Sequence, residues 1–260
     1  MPGLRKLLLL LTLLPALAWP VEQFTVKVID KKPQPRNNFV QGLEILGEYL
    51  YVSTGGYGSS RLLRYRFADG SLDRGGKLRR TIFAEGLTIL GDVVYQLTWR
   101  NGVMLTYDKE TLQPTGAIPI IGEGWGLSND GSSLIVSNGS EHLSFLSPKT
   151  GENLRTITVT EDGHPVTRLN ELEWIDGKIW ANIWQTDRIV IINPRDGKVS
   201  ANIDLRGLLP ASERQQGTDV LNGIARNPAD GSIWVTGKRW PWLYRIELVA
   251  TPPQETQQSE

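Results

Sequence analysis

The chain has no cysteine and only two histidines, His142 and His164. Without thiols there is no disulfide, no thiolate nucleophile and no cysteine-based zinc site. Two histidines cannot build a histidine-rich metal centre, and a Ser-His-Asp triad would need one of them; neither lies in a recognisable catalytic motif. An excess of one charge is also missing: Lys+Arg and Asp+Glu both number 28, giving zero net charge. No basic balance points to nucleic acid, and no charge block marks a polyionic tail. Helical periodicity is absent over more than about two turns anywhere in the chain. The longest apolar run, Leu7 to Leu14, stops at Pro15 and is too short to cross a bilayer comfortably.

That short run has its own reading. Arg5 and Lys6 precede it and Ala16-Leu17-Ala18 follows it, the order of a secretory signal peptide over residues 1–18. An uncleaved anchor is the alternative. The expectation is a mature chain starting near Trp19, secreted or periplasmic, without stable membrane insertion. At the other end, residues 251–260 (TPPQETQQSE) are polar and contain proline, a composition expected to be disordered.

Between these ends the chain repeats itself. Gly122 to Leu127 reads GEGWGL, with a carboxylate, an indole and three glycines in six residues. Glycine permits close backbone approach and positive φ. Related stretches are QGL from Gln41, EGL from Glu85, NEL from Asn170 and NGI from Asn222. Each continues into a turn and a β-rich run: Tyr49 to Thr54, Val93 to Thr98, and their counterparts. Arg100-Asn101-Gly102 is a strong hairpin signal. The aliphatic anchors Leu43, Leu87, Leu127, Leu172 and Ile224 recur at intervals of 44, 40, 45 and 52 residues. Blades of a β-propeller run roughly 40–50 residues. The expectation is an all-β, five-bladed β-propeller over residues 19–250, with Phe24 to Ile29 completing the last blade. A β-sandwich or a six-bladed ring is the alternative.

In such a ring the repeated dyads begin the innermost strands. Gln41, Glu85, Trp125, Asn170, Glu171 and Asn222 should therefore meet at one mouth, with Trp99, Trp184, Lys238 and Trp240 one strand further on. A carboxylic acid among indoles has a raised pKa and can move a proton near neutrality. Amides and Lys238 can orient a polar ligand. Glu85, set in FAEGLT, is the strongest candidate for chemistry.

The chain resembles the plant and bacterial type of glutaminyl-peptide cyclotransferase. The matching stretches are FVQGL from Phe39, STGGYG from Ser53, FAEGLTILGDVVYQLTW from Phe83, GEGWGLSNDG from Gly122, LNELEWIDGKIWANIWQTDRI from Leu169, DVLNGIA from Asp219 and TGKRWP from Thr236. Each alone is weak; their joint order and spacing are specific. The resemblance implies a five-bladed propeller that converts the N-terminal glutamine of peptides or proteins to pyroglutamate and releases ammonia, with no metal or other cofactor; a monomer is the separate expectation. It implies Glu85 as proton shuttle and Gln41, Trp99, Trp125, Asn170, Trp184 and Lys238 as pocket residues; Glu171 joins the substrate-binding set from the dyad pattern. The chain departs from the family at Val52, where glutamate is usual, at Asn138 for aspartate, at Ser59 for glutamine, and at Arg100 for lysine. Two other readings stand beside this one. One is a calcium-dependent hydrolase of lactones, with Glu85, Asn170, Glu171, Asn222 and Asp219 as ligands. The other is a propeller that binds peptides without turnover, as Val52 and Asn138 would suggest.

Overall fold

The computed structural model describes residues 21–251. The expected signal segment and nearly all of the polar tail lie outside them. The described chain is all-β apart from one short 3-10 turn, Ala211–Glu213.

After β1 (Glu22–Pro33), four strands follow as an antiparallel meander: β2 (Val40–Leu46), β3 (Tyr49–Thr54), β4 (Arg61–Arg66) and β5 (Leu72–Lys77). The pattern repeats in β6 (Ala84–Leu90), β7 (Val93–Thr98), β8 (Val103–Asp108) and β9 (Pro114–Pro119). A third meander comprises β10 (Leu127–Asn129), β11 (Leu134–Ser137), β12 (His142–Leu146) and β13 (Asn153–Thr158). A small hairpin, β14 (Thr160–Glu161) and β15 (His164–Pro165), precedes β16 (Leu169–Ile175), β17 (Lys178–Ile183), β18 (Arg188–Ile192) and β19 (Val199–Asp204). The chain ends with β20 (Leu221–Arg226), β21 (Ile233–Gly237) and β22 (Trp242–Ala250). β1 pairs antiparallel with β22, Phe24 opposite Ala250 and Pro33 opposite Trp242, and this is where the early strand was expected. β1 also pairs in parallel with β19 and so joins the last two groups into one eight-stranded sheet.

The first strand of each group lies innermost. β2 packs beside β6, β6 beside β10, β10 beside β16, β16 beside β20, and β20 beside β2 again. These neighbours meet backbone to backbone, and this explains the glycine of the dyads. A Cβ on Gly42 would fall 2.3 Å from the Leu87 nitrogen, and one on Gly86 2.4 Å from the Leu127 nitrogen. A Cβ on Gly126 would fall 1.9 Å from the Asn170 carbonyl oxygen. Register shifts between Val40 and Gly42, Ala84 and Leu87, Leu169 and Leu172, and Leu221 and Ile224 place a bulge at four of the five dyads. A bulge re-aims its residues and bends the strand, so Gln41, Glu85 and Asn170 leave the pleat's alternation.

Apolar residues of adjacent groups fill the space between sheets. One cluster joins Leu143, Phe145, Leu172 and Val190; another joins Val40, Leu43, Val52, Trp234 and Leu243. Val52 is thus a core residue, fully buried, and not a vacancy in a site. Of the outer strands, β5 and β9 carry exposed or half-exposed residues throughout, whereas β19 buries alternate residues.

The inner ring also holds three carboxylates that serve as staples. Glu171 accepts from the backbone nitrogens of Leu43 (3.2 Å) and Ile224 (2.9 Å), reaching two inner strands from a third. Glu173 accepts from the Arg226 nitrogen (2.9 Å). Glu44 accepts from Thr88 Oγ1 (2.8 Å) and the Ile89 nitrogen (3.0 Å). Glu44 keeps part of its surface open, yet its carboxyl lies deep among protein atoms; that desolvation, opposed by the Thr88 and Ile89 bonds, pushes its pKa up to about 7.

Two outcomes follow. Gly126→Ala forces backbone atoms apart at the ring and should cost at least about 3 kcal/mol, read as a lower urea midpoint. Glu44 is protonated in the folded chain at pH values where the unfolded chain has already ionised, so its contribution is full in acid and is lost as pH rises through about 7. Stability should therefore fall between the ordinary carboxylate range and neutrality, and Glu44→Gln should flatten that slope in urea titrations at several pH values.

Candidate functional site

At the start of the inner strands the chain encloses a cavity of about 370 Å³. Gln41 and Glu85 enter from the bulges of β2 and β6, and Asn170 from that of β16. Trp99, Trp184 and Lys238 come from the turns that follow β7, β17 and β21, and Trp125 from the segment before β10. Phe39, Phe83, Gln185 and Asp219 complete the wall. The floor is polar and the sides are aromatic.

Glu85 is at the bottom, with its Oε1 accepting from Gln41 Nε2 at 3.1 Å. Asn222 Nδ2 in turn donates to Gln41 Oε1 at 3.2 Å, which orients that amide. The backbone of Glu85 is fixed from behind: its carbonyl accepts from Ser53 Oγ, Gln96 Nε2 donates to Ser53 Oγ at 2.8 Å, and the Tyr107 hydroxyl donates to Gln96 Oε1 at 2.9 Å. Burial drives the Glu85 pKa well above the usual carboxylate value; the Lys238 charge pulls it down and the Glu123 charge pushes it up. Burial also lowers the Lys238 pKa, against the nearby charges of Glu85 and Asp219. Glu85 is therefore a carboxyl whose proton is held more tightly than that of an ordinary carboxylic acid, placed where it could exchange one with a ligand.

The indoles are held in place. Trp99 Nε1 and Trp125 Nε1 both donate to Glu123 Oε2, at 2.8 and 3.1 Å. Arg100 Nε donates to Glu123 Oε1 at 2.7 Å while its guanidinium stacks 3.9 Å from the Trp99 ring. Burial works to raise Glu123, but the bonds from Arg100, Trp125 and Trp99 outweigh it and hold the carboxyl below its usual range. Trp125 meets Trp184 edge to face, centroids 5.4 Å apart, and Phe83 bridges Phe39 (6.3 Å) and Trp99 (5.6 Å). One acceptor is left over. Asn170 is buried, and its Oδ1 has no partner among the described residues, an arrangement that suits a ligand donor.

Of the residues singled out from the sequence, Glu85, Gln41, Trp99, Trp125, Asn170, Trp184 and Lys238 border this cavity. Glu171 does not. It follows Asn170 across the bulge, so its side chain points the other way and its carboxylate binds the Leu43 and Ile224 nitrogens. The calcium reading loses one of its carboxylates for the same reason: Glu171 is engaged in the ring. Among the described residues no group of three or more His, Asp or Glu side chains is placed to hold a metal ion. Trp240 is buried in the core instead, donating to the Asp219 carbonyl. Asn138 makes a local turn, accepting from the Ser140 nitrogen at 3.1 Å, a bond that aspartate would make equally well. The aromatic wall of Phe39 and Phe83, the rim residue Gln185, and the part of Glu123 in pinning two indoles were not anticipated. For Glu123 a signal existed: it stands two residues before Trp125 in a glycine-rich stretch.

The comparisons with known proteins agree with one another. The family model described as glutamine cyclotransferase matches residues 7–248. The chain is 38% identical over 229 residues to a glutaminyl-peptide cyclotransferase of Arabidopsis thaliana, covering 86% of this chain and 71% of that protein. Its fold superposes on the crystal structure of Myxococcus xanthus glutaminyl cyclase with a TM-score of 0.84 at 33% identity, covering 89% of this chain and 99% of that one. The chain therefore belongs to the glutamine cyclotransferase family.

Proposed function

We propose that this protein is a glutaminyl-peptide cyclotransferase that closes the N-terminal glutamine of peptides or proteins to pyroglutamate. The observation that carries the reading is a buried carboxyl, Glu85, at the floor of an aromatic-walled cavity of about 370 Å³, in a chain of this family. The substrate brings its own nucleophile. Its α-amine attacks the γ-carboxamide carbon of the same residue, a C–N bond forms, and the carboxamide nitrogen leaves as ammonia. Glu85, as carboxylate, takes the proton that the amine sheds and passes it to the departing nitrogen, so no net proton is consumed. Trp125 and Trp184 pack the methylenes and keep the side chain folded back; holding amine and carbonyl at attack distance supplies much of the rate. Gln41, Asn170 and Lys238 hold the polar atoms, with the free Asn170 Oδ1 facing a substrate N–H. No serine, cysteine or histidine nucleophile is required.

The scaffold is read as a five-bladed propeller. In support, the five inner strands neighbour one another in a closed cycle, and the eight-stranded sheet divides at its parallel β1–β19 pairing into two meanders of four. β1 as the outermost strand of the last blade ties the two ends of the chain together. The N-terminal segment supports a secreted or periplasmic location, and no helix among the described residues is long and apolar enough to cross a membrane. A monomer needs no partner residue to complete the cavity. The binding-only alternative rested on Val52 and Asn138, and neither borders the cavity.

The direct test is ammonia release from a glutamine-initiated dipeptide by the purified chain. Release insensitive to a chelator is the expected result, and a folded sample giving none sinks the proposal. Glu85→Gln should lower kcat by about 10²–10⁴. The acid limb of the kcat/KM profile should follow Glu85: activity is lost as pH falls through its raised pKa, above the ordinary carboxylate range. Lys238→Met removes the cation that favours ionised Glu85 and should move that limb to higher pH; Glu123→Gln removes a like charge and should move it to lower pH. A limb unmoved by both would mean that another group titrates.

A further inference from the structure

A concavity larger than the catalytic one lies elsewhere in the described chain. A groove of about 1030 Å³ runs between the outer strand β5 and the outer strands β8 and β9 of the next sheet. Its apolar surface comes from Leu72, Leu105, Leu112 and Ile82, and Leu72 is 59% exposed. Its charged lining is one acid, Asp73, and three bases, Arg74, Lys77 and Arg79. Asp73 is already held by Arg64 at 2.6 Å, whereas Lys77 and Arg79 have no carboxylate within ion-pair distance among the described residues. The groove is thus apolar with a basic rim.

One connector borders both this groove and the catalytic cavity. The connector from Leu78 to Phe83 joins β5 to β6; Ile82 lines the groove and its neighbour Phe83 lines the cavity. The exposed Tyr57 ring rests 5.5 Å from Phe83 on the same path. The connector is anchored to the adjacent loop, Leu78 nitrogen to Ser60 carbonyl at 2.9 Å and Gly58 nitrogen to Arg80 carbonyl at 3.1 Å, so the path has a fixed bed. The two strand edges facing the groove differ. β9 carries Pro114 and Pro119, which remove donors. β5 (LDRGGK) has no proline, pairs only with β4, and a Cβ at Gly76 would meet nothing.

We infer that this groove receives the extended chain of a protein substrate downstream of its N-terminal glutamine, and that it favours a segment in which acidic and apolar residues alternate. The inference rests on the proposed cyclotransferase function for its substrate. The chain leaves the cavity over Phe83 and Tyr57 and descends antiparallel to β5, because β5 itself runs toward the mouth. Edge pairing gives sequence-independent affinity, and the basic rim selects acidic side chains. A dipeptide would use none of this.

The test uses three peptides with the same first three residues, Gln-Ala-Ala: the tripeptide, an acidic–apolar peptide of about twelve residues, and its lysine-for-glutamate counterpart, since about twelve extended residues span the connector and the strand. Binding of the C-terminally labelled long peptides is read by fluorescence anisotropy, and turnover by ammonia release. The acidic peptide should bind about tenfold more tightly than the lysine one, more so at low salt, and its kcat/KM should exceed that of the tripeptide by a similar factor. The double variant Lys77→Glu/Arg79→Glu should erase the preference for the acidic peptide or invert it. Equal binding of the two long peptides, or an acid preference that survives the double variant, overturns the inference. Binding with the expected preference but no ammonia from any peptide overturns the cyclotransferase reading and leaves the groove in place.

Discussion

The backbone contact between neighbouring inner strands governs this molecule. β2, β6, β10, β16 and β20 approach so closely that a methyl group on Gly42, Gly86 or Gly126 would overlap main-chain atoms of the next strand. Such proximity leaves no room for side chains between strands at that level. It therefore forces the polar residues beside the glycines outward along the axis, into the cavity. Bulges at four of the dyads accomplish the turn. The fourth dyad has glutamate where the others have glycine, and the carboxylate of Glu171 spans the ring to bind nitrogens on two other inner strands. Site and scaffold thus share the same residues, and Glu85 owes its position to the packing that makes its neighbour a glycine.

Electrostatics follow from that geometry. A carboxyl at the closed end of the ring loses water, and Glu85 rises far above its ordinary pKa. Lys238 and Glu123 act on it with opposite sign, one from the last group of strands and the other from the third. Glu123 has a second task, because its carboxylate joins Trp99 to Trp125 and so fixes the spacing of two cavity walls. The staples Glu44 and Glu173 are coupled to each other by charge, and Glu173 is pushed up by burial and then by Glu44. The chain accordingly trades stability at neutral pH for a ring closed by hydrogen bonds in place of side-chain packing.

Much of this was legible in the sequence where residue type and position carry the same constraint. The dyads, the second strands and the hairpin at Asn101-Gly102 read correctly because glycine, alternation and turn residues agree there. The outermost strands β5 and β9 did not. LDRGGK and PTGAIP are exposed on both faces, so no apolar alternation marks them, and their glycines and prolines read as loop. Glu171 was misplaced because successive side chains of a strand point to opposite faces, so the second residue of the dyad turns from the cavity to the Leu43 and Ile224 nitrogens. Val52 was read as a lost acid of the site; both faces of β3 are buried, so residue type alone did not place it in the core between sheets. Glu123 could not be assigned a role, since its partners Trp99 and Arg100 lie more than twenty residues away in sequence.

Six non-glycine residues among those described adopt positive φ, and three of them lie by the same mouth. Gln185 and Arg239, both in turns that present pocket side chains, hold φ of 63° and 60°, and Arg168, just before the Asn170 bulge, holds 63°. These are left-handed conformations in residues with no glycine freedom, at a cost of about 1 kcal/mol or more each. At the corresponding turns Gly56 and Gly139 adopt positive φ without that cost. Gln185 and Arg239 directly follow Trp184 and Lys238, and the Arg168 carbonyl accepts from the Trp184 nitrogen at 2.8 Å, so all three lie where a side chain is aimed at the cavity. For a reaction in which the substrate supplies its own nucleophile, shape is the main instrument left to the protein. In the proposed mechanism the indoles keep a flexible glutamine side chain folded onto its own amine and water away from the carbonyl. A loose wall would forfeit both, so rigidity at Trp99, Trp125 and Trp184, which line the cavity, is what the scaffold would contribute to that proposal.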